Sequence, residues 1–243
     1  MNKIINVDNV RQFAYLNDEI ITKPIKGIVL TLNGLSFSNM FWDNDDEISK
    51  FFAKNGILQI IPYYNPWSWM NDTTVKLVDE LVDIVIEKHQ LSKDIPIVST
   101  GRSMGGLSAL IYSMRAKYTP IACITNCPVC DLEYHSTERN DVIRTLYSAY
   151  GHYQCTIEEA IKNTSPIHLI DQLPKIEYHI FHCEEDQAVN KQKHSDIFVE
   201  EMIKRNHNIK YYSVPGRGHC DLTEEANKQY HQLMVDMINK NWK

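Results

Sequence analysis

The 243-residue sequence has no apolar run long enough to cross a membrane, and its opening residues, MNKIINVD, lack the apolar centre of a signal peptide. No membrane partner is expected, and a cytoplasmic location follows, where Cys123, Cys127, Cys130, Cys155, Cys183 and Cys220 stay reduced and serve as packing residues. A dense cluster of one charge is also missing. With 25 Lys and Arg against 31 Asp and Glu the net charge is −6, so nothing tracks a phosphate backbone and no nucleic-acid partner is expected. No repeat, low-complexity tract or linker interrupts the chain, which reads as one domain over 1–243. His-Glu-x-x-His is absent. Cys127-Pro128-Val129-Cys130 lacks a second pair at finger spacing, although Asp131 and His135 follow it. His179 and His182, three apart on a strand, face opposite sides of the sheet. No metal and no cofactor are expected.

What is present is an alternation of strand and helix patterns. Short apolar runs over 26–32, 57–63, 95–100, 121–126, 176–183 and 209–214 read as strands. Between and after them, 72–89, 104–116, 191–205 and 223–239 carry apolar residues at helical spacing. Such alternation means an α/β fold, a mostly parallel central sheet with helices on both faces. Residues 10–16 are expected to add an antiparallel edge strand.

Gly101-Arg102-Ser103-Met104-Gly105-Gly106 sits where the strand over 95–100 turns into the helix over 104–116. A strand-to-helix turn this sharp strains the backbone at Ser103 and needs near-absent side chains on both sides, which Gly101 and Gly105 supply. The serine hydroxyl is then held clear of the sheet, and the free N–H of Met104 at the helix start points at whatever oxygen the serine attacks. The segment has neither the Lys-Ser/Thr ending of a phosphate loop nor the Gly-x-Gly start of a dinucleotide fingerprint. A serine hydroxyl needs a base, and the base needs an orienting acid. His219 lies in the glycine-flanked loop Pro215-Gly216-Arg217-Gly218-His219-Cys220 after the last strand, and is the expected base. The strand over 176–183 empties into Glu184-Glu185-Asp186, where Asp186 is the expected acid. Glu184 or Glu185 takes the role if the strand ends earlier.

In these residues the chain resembles the α/β-hydrolases, closest in pattern to small esterase-like members related to the prolyl-oligopeptidase branch, and the resemblance runs from about Lys26 to the C-terminus. The order Ser103, Asp186, His219 is the order that fold uses. The family pattern His-Gly-x-x-Asp-x-x-Val-Pro is met by His182-Cys183-Glu184-Glu185-Asp186-Gln187-Ala188-Val189-Asn190, with cysteine for the glycine and asparagine for the proline. Thr164-Ser165-Pro166-Ile167 and Leu173-Pro174-Lys175 also resemble the approach to that strand. Where such enzymes carry His-Gly after an early strand, this chain has Asn33-Gly34-Leu35. The resemblance implies a second oxyanion donor there, the backbone N–H of Leu35 beside that of Met104. An ordinary Asn-Gly turn is the alternative.

In this fold the insertion over 128–164 is where a lid grows. It is short here and is expected to hold one helix over 137–149. Trp67 and Trp69, with Trp42 beyond the Asn33-Gly34 loop, are expected either to wall the substrate pocket or to pack their own loops. The reading is a serine hydrolase of short-chain carboxylic esters, with acetylated carbohydrate or aryl esters as candidates, working through an acyl-enzyme on a small-molecule ester. The alternatives are a peptidase, whose branch members carry a further domain for which this chain is expected to have no room, and a non-catalytic ligand-binding protein of the same fold.

Overall fold

The computed structural model describes residues 4–35 and 44–242. Its strands are β1 (Ala14–Leu16), β2 (Gly27–Leu32), β3 (Ile57–Pro62), β4 (Ile97–Arg102), β5 (Ala122–Asn126), β6 (Glu177–Cys183) and β7 (Asn208–Val214). They form one sheet in the order β1-β3-β2-β4-β5-β6-β7. β1 runs antiparallel to β3, and each of the other neighbouring pairs is parallel. The helices are α1 (Glu47–Lys54), α2 (Asp72–Lys88), α3 (Met104–Arg115), α4 (Leu132–Glu138), α5 (Val142–Tyr150), α6 (Ile157–Lys162), α7 (Ile197–Lys204) and α8 (Glu224–Asn241). None of them is long and apolar enough to cross a membrane.

Strand side chains alternate between two faces, and both faces are covered. Val29, Val98, Ile124 and Phe181 pack with Phe52 of α1 and with Met234 and Ile238 of α8. Ile28, Leu30, Ile97 and Ile180 belong to the opposite core, with residues of α2, α3 and α7. Because β2 to β7 are parallel, their C-terminal ends open on one edge, and the loops leaving them carry Asn33, Ser103, Cys127, Asp186 and His219. In open parallel sheets this edge is where ligands bind.

Three elements differ from the sequence expectation. The 10–16 segment is strand only from Ala14, because Val10–Gln12 forms a 3₁₀ turn first. The single helix expected over 137–149 is instead α4 and α5, with α6 following. Arg139 is extended (φ −140°, ψ 127°) and its guanidinium clamps Asp141 at 2.7 Å, which breaks the helix between them. The helix over 191–205 begins as a π turn, Gln192–Asp196, that buries His194 and Ser195 before α7 starts. Helix α1 has no counterpart in the expectation. Its signal was Asp46, whose carboxylate accepts from Ser49 N at 2.7 Å as an N-cap, ahead of Ile48, Phe51 and Phe52 at one-turn spacing.

Candidate active site

Ser103 stands between β4 and α3 with φ 57° and ψ −125°, a conformation that is strained for any side chain other than glycine. The strain is held from both sides. Its N–H donates to Asn126 O at 3.0 Å, and its carbonyl accepts from Gly106 N at 2.9 Å and Leu107 N at 3.2 Å, the first bonds of α3. A Cβ at position 101 would lie 2.1 Å from Gly105 O, and one at position 105 would lie 2.2 Å from Leu32 O, so the turn closes only around glycine at both. Met104 is the first residue of α3, where a backbone N–H has no partner inside the helix. The Asn33-Gly34-Leu35 loop packs beside the serine, since a Cβ on Gly34 would sit 3.8 Å from Ser103 Cβ. Asparagine in place of the family's histidine is used structurally: Tyr64 Oη accepts from Asn33 N at 2.7 Å, and Asn33 Nδ2 donates to Pro62 O at 3.1 Å.

His219 Nδ1 donates to Asp186 Oδ2 at 2.7 Å across the loops that leave β7 and β6. The two loops are joined by backbone bonds from Glu184 N to Val214 O and from Glu185 N to Arg217 O, both 2.9 Å. Asp186 is buried and collects four donors: Ala188 N and Val189 N at 2.9 Å on Oδ1, His219 at 2.7 Å and His182 Nε2 at 3.3 Å on Oδ2. Burial raises the proton affinity of this carboxyl, but the bonds from His182 and His219 outweigh it and hold it far below the ordinary aspartate value. For His219, burial opposes the charged form, yet the Asp186 bond and charge prevail and raise the imidazole from 6.5 to about 9. Glu184 is placed elsewhere, accepting from Ser213 Oγ at 2.7 Å, and Glu185 is exposed.

His182 is the residue that the strand argument passed over. It does face away from His179, but the turn after β6 folds Asp186 back onto it. Its Nδ1 accepts from Ser195 Oγ at 2.6 Å, so its Nε2–H is aimed at Val189 O and the Asp186 carboxylate. The sequence signal was its spacing of four from Asp186. A second polar clasp ties the 128–164 insertion to the same loop. Glu138, at the end of α4, accepts from His135 Nδ1 at 2.6 Å, His194 Nε2 at 2.8 Å and Asn190 N at 2.8 Å. Burial opposes its charge, but the imidazole donors win and lower it to about 2. No local sequence pattern links these three positions.

Ser103 and His219 open on one cavity of about 480 Å³, walled by Ile48 and Phe52 of α1 and by Tyr230 and Met234 of α8, with Arg102 and Arg139 also lining it. Leu35 lines it as well. Neither Trp67 nor Trp69 does. Trp69 is fully buried and donates its indole N–H to Thr145 Oγ1 at 2.9 Å, so it anchors α5 and is closed off from the cavity. Trp67 is partly exposed beneath the Arg144 guanidinium, 5.5 Å from the ring centre, and is outside the cavity wall. Of the two roles open to Trp67 and Trp69, the wall falls instead to α1, through Ile48 and Phe52, and Trp69 takes the packing one. Trp42 lies outside the described residues. The Cys127/Cys130 pair is split between the two cores, with Cys127 on the α8 side beside His219 and Cys130 on the opposite side.

The arrangement supplies an imidazole held in one tautomer, a strained serine on the same cavity and backbone donors beside that serine. Residues 69–243 match the model of the prolyl oligopeptidase family. The fold resembles a Mycobacterium tuberculosis puromycin-hydrolysing peptidase (TM-score 0.70, 14% identity, 90% of this chain and 35% of that one). It also resembles the Pyrococcus horikoshii acylaminoacyl peptidase (0.65, 10%, 91% and 38%) and the Staphylococcus aureus fluorophosphonate-binding serine hydrolase FphF (0.66, 18%, 88% and 85%). The chain thus spans little more than a third of either peptidase. No curated protein sequence matches it. With its α/β-hydrolase fold and a match over 69–243, the chain belongs to the prolyl oligopeptidase family of serine hydrolases.

Proposed function

We propose that the protein hydrolyses carboxylic esters through an acyl-enzyme. Ser103 Oγ attacks the ester carbonyl while His219 Nε2 takes the hydroxyl proton, and Asp186 holds His219 in the tautomer that leaves Nε2 free. The backbone N–H groups of Met104 and Leu35 receive the oxyanion. Collapse of the tetrahedral intermediate breaks the C–O bond, His219 returns the proton to the departing alcohol, and water repeats the sequence to release the acid. The observation that carries this reading is the His219–Asp186 pair, 2.7 Å apart, opening on the same cavity as a serine with φ 57°.

The cavity favours small substrates. A cavity of about 480 Å³, lined in part by Phe52, Ile48 and Met234, suits an acetyl to butyryl group better than a long chain, with an aryl or acetylated sugar alcohol as the leaving group. The six free thiols are consistent with the cytoplasmic location proposed for it. The family match keeps a peptidase reading in play. Measuring kcat/KM across aryl esters of two to twelve acyl carbons, beside aminoacyl amides, separates the two. The ester reading expects a graded decline with each methylene beyond butyryl, each contact being worth about 1–3 kcal/mol. A maximum at eight carbons or longer, or amide cleavage without ester cleavage, overturns it.

A further inference from the structure

Two cysteines flank the base, and neither has a part in the proposed reaction. Cys220 Sγ lies 3.6 Å from His219 Nε2, and the Cys127 sulfur, His219 nitrogen and Cys220 sulfur all fall within 4.8 Å of one another. A tetrahedral zinc with Zn–S of about 2.3 Å and Zn–N of about 2.0 Å separates its sulfur and nitrogen ligands by about 3.6 Å and its two sulfurs by about 3.8 Å. The first spacing is already present, and the others close with small side-chain shifts.

The surroundings are those of a metal site. His219 gives its other ring N–H to Asp186 at 2.7 Å, the carboxylate–histidine arrangement that orients a metal-binding imidazole. Cys127 Sγ accepts two backbone N–H groups, Cys183 N and Cys220 N, each at 3.4 Å, donors that stabilise negative charge on a sulfur. Both cysteines also hold left-handed backbone, φ 48° at Cys127 and φ 59° at Cys220, where a residue with a Cβ sits at a conformational cost. The competing clusters are already committed: Asp186 is saturated by four donors, and His194 takes the Cys130 and Asp131 N–H groups on Nδ1, so its Nε2 carries a proton to Glu138.

We propose that Cys127, Cys220 and His219 form a site for a thiophilic divalent cation, Zn²⁺ above all, that switches the enzyme off reversibly. Zn²⁺ displaces to solvent one proton from each thiol and, where His219 is charged, its Nε2 proton, and takes the Nε2 lone pair so freed. Two thiolates neutralise its charge, and the fourth position faces the cavity. Sulfur and nitrogen donors select against Mg²⁺ and Ca²⁺. Inhibition rests on His219 being the base; metal binding itself does not.

The test titrates metal-free protein with Zn²⁺ against a chromophoric chelator, and separately with Co²⁺ followed by absorption, in wild type, Cys220→Ala and the near-isosteric Cys127→Ser. One Zn²⁺ per chain is expected, with a Co²⁺ thiolate charge-transfer band, and each substitution should weaken Zn²⁺ by at least about 100-fold. Ester turnover and fluorophosphonate labelling, scored against each variant's own metal-free rate, should be blocked by Zn²⁺ in wild type, restored by chelator, untouched by Mg²⁺, and resistant in both variants. No stoichiometric Zn²⁺ uptake by wild type, no thiolate band, or equal Zn²⁺ affinity in the variants overturns the site. Metal-free wild type that is folded yet neither turns over nor labels overturns the hydrolase reading instead, while the titration still decides the site.

Discussion

Asp186→Asn isolates what the buried carboxylate does for His219. The substitution keeps the shape and the buried position but removes the carboxylate whose bond and charge, together with the Cys127 contact, raise the imidazole from 6.5 to about 9, an overall shift worth about 3 kcal/mol between its two protonation states. In wild type the base is blocked by its own proton until the pH rises, so kcat/KM should climb with pH on a limb whose midpoint lies well above 6.5. With a midpoint of 9, about one molecule in a hundred holds neutral His219 at pH 7, and activity should rise roughly 50-fold between pH 7 and 9. The variant should lose about 10⁴-fold in turnover near the wild-type plateau, because the tautomer and the imidazolium are no longer held. Its limb should move down toward 6.5, with burial lowering the imidazole and the Cys127 contact still raising it, so it gains far less than wild type over the same interval. Stability follows the same bond. The depressed Asp186 contributes above its unfolded value near 3.9 and loses that contribution as pH falls, whereas the raised His219 contributes fully below 6.5 and loses it as pH climbs through about 9. The destabilisation of the variant should therefore be largest between about pH 4 and 6.5. Steady-state kinetics across pH 5–10, beside urea melts at matched pH, measure both. Equal midpoints in the two proteins, or a variant with near wild-type turnover, would refute the reasoning; crippling of Glu184→Gln or Glu185→Gln instead would move the acid.

Gly105→Ala brings a methyl to 2.2 Å from Leu32 O, so it should cost at least about 1–3 kcal/mol and most of the activity, whereas Ser103→Ala should abolish activity with an unchanged melting curve. Trp69→Ala should destabilise by about 3–5 kcal/mol, since it empties a buried site and removes the indole bond to Thr145, yet leave the ranking of acyl chain lengths intact. Trp67→Ala should move neither by more than about 0.5 kcal/mol in stability, read by thermal melting and the same ester panel.

The parallel sheet was legible because its strands are short apolar runs set between helical periods, and the Ser103 turn because Gly101 and Gly105 have a single steric purpose. The loops bearing Asp186 and His219 could be placed at one edge by topology alone, since β6 and β7 are parallel neighbours. Their meeting at 2.7 Å depends on backbone bonds between the loops that no local pattern announces. The choice between a pocket wall and a packing role for Trp69 is open in the sequence for a related reason. Aromatic residues in a loop mark either a binding surface or a packing anchor, and only the partner decides: Thr145, 76 positions away, takes the Trp69 indole inward. The Glu138 clasp likewise owes its role to a partner 52 positions away, whereas the His182–Asp186 contact is local and follows from the turn after β6.

The central claim is that Ser103 is a nucleophile activated by His219. Incubation of the metal-free protein with a fluorophosphonate probe, followed by digestion and peptide mass mapping, tests it most directly. The account predicts one adduct, on Ser103, absent in Ser103→Ala and strongly slowed in His219→Ala. An adduct on another residue, or folded wild-type protein that takes up no probe, would contradict it.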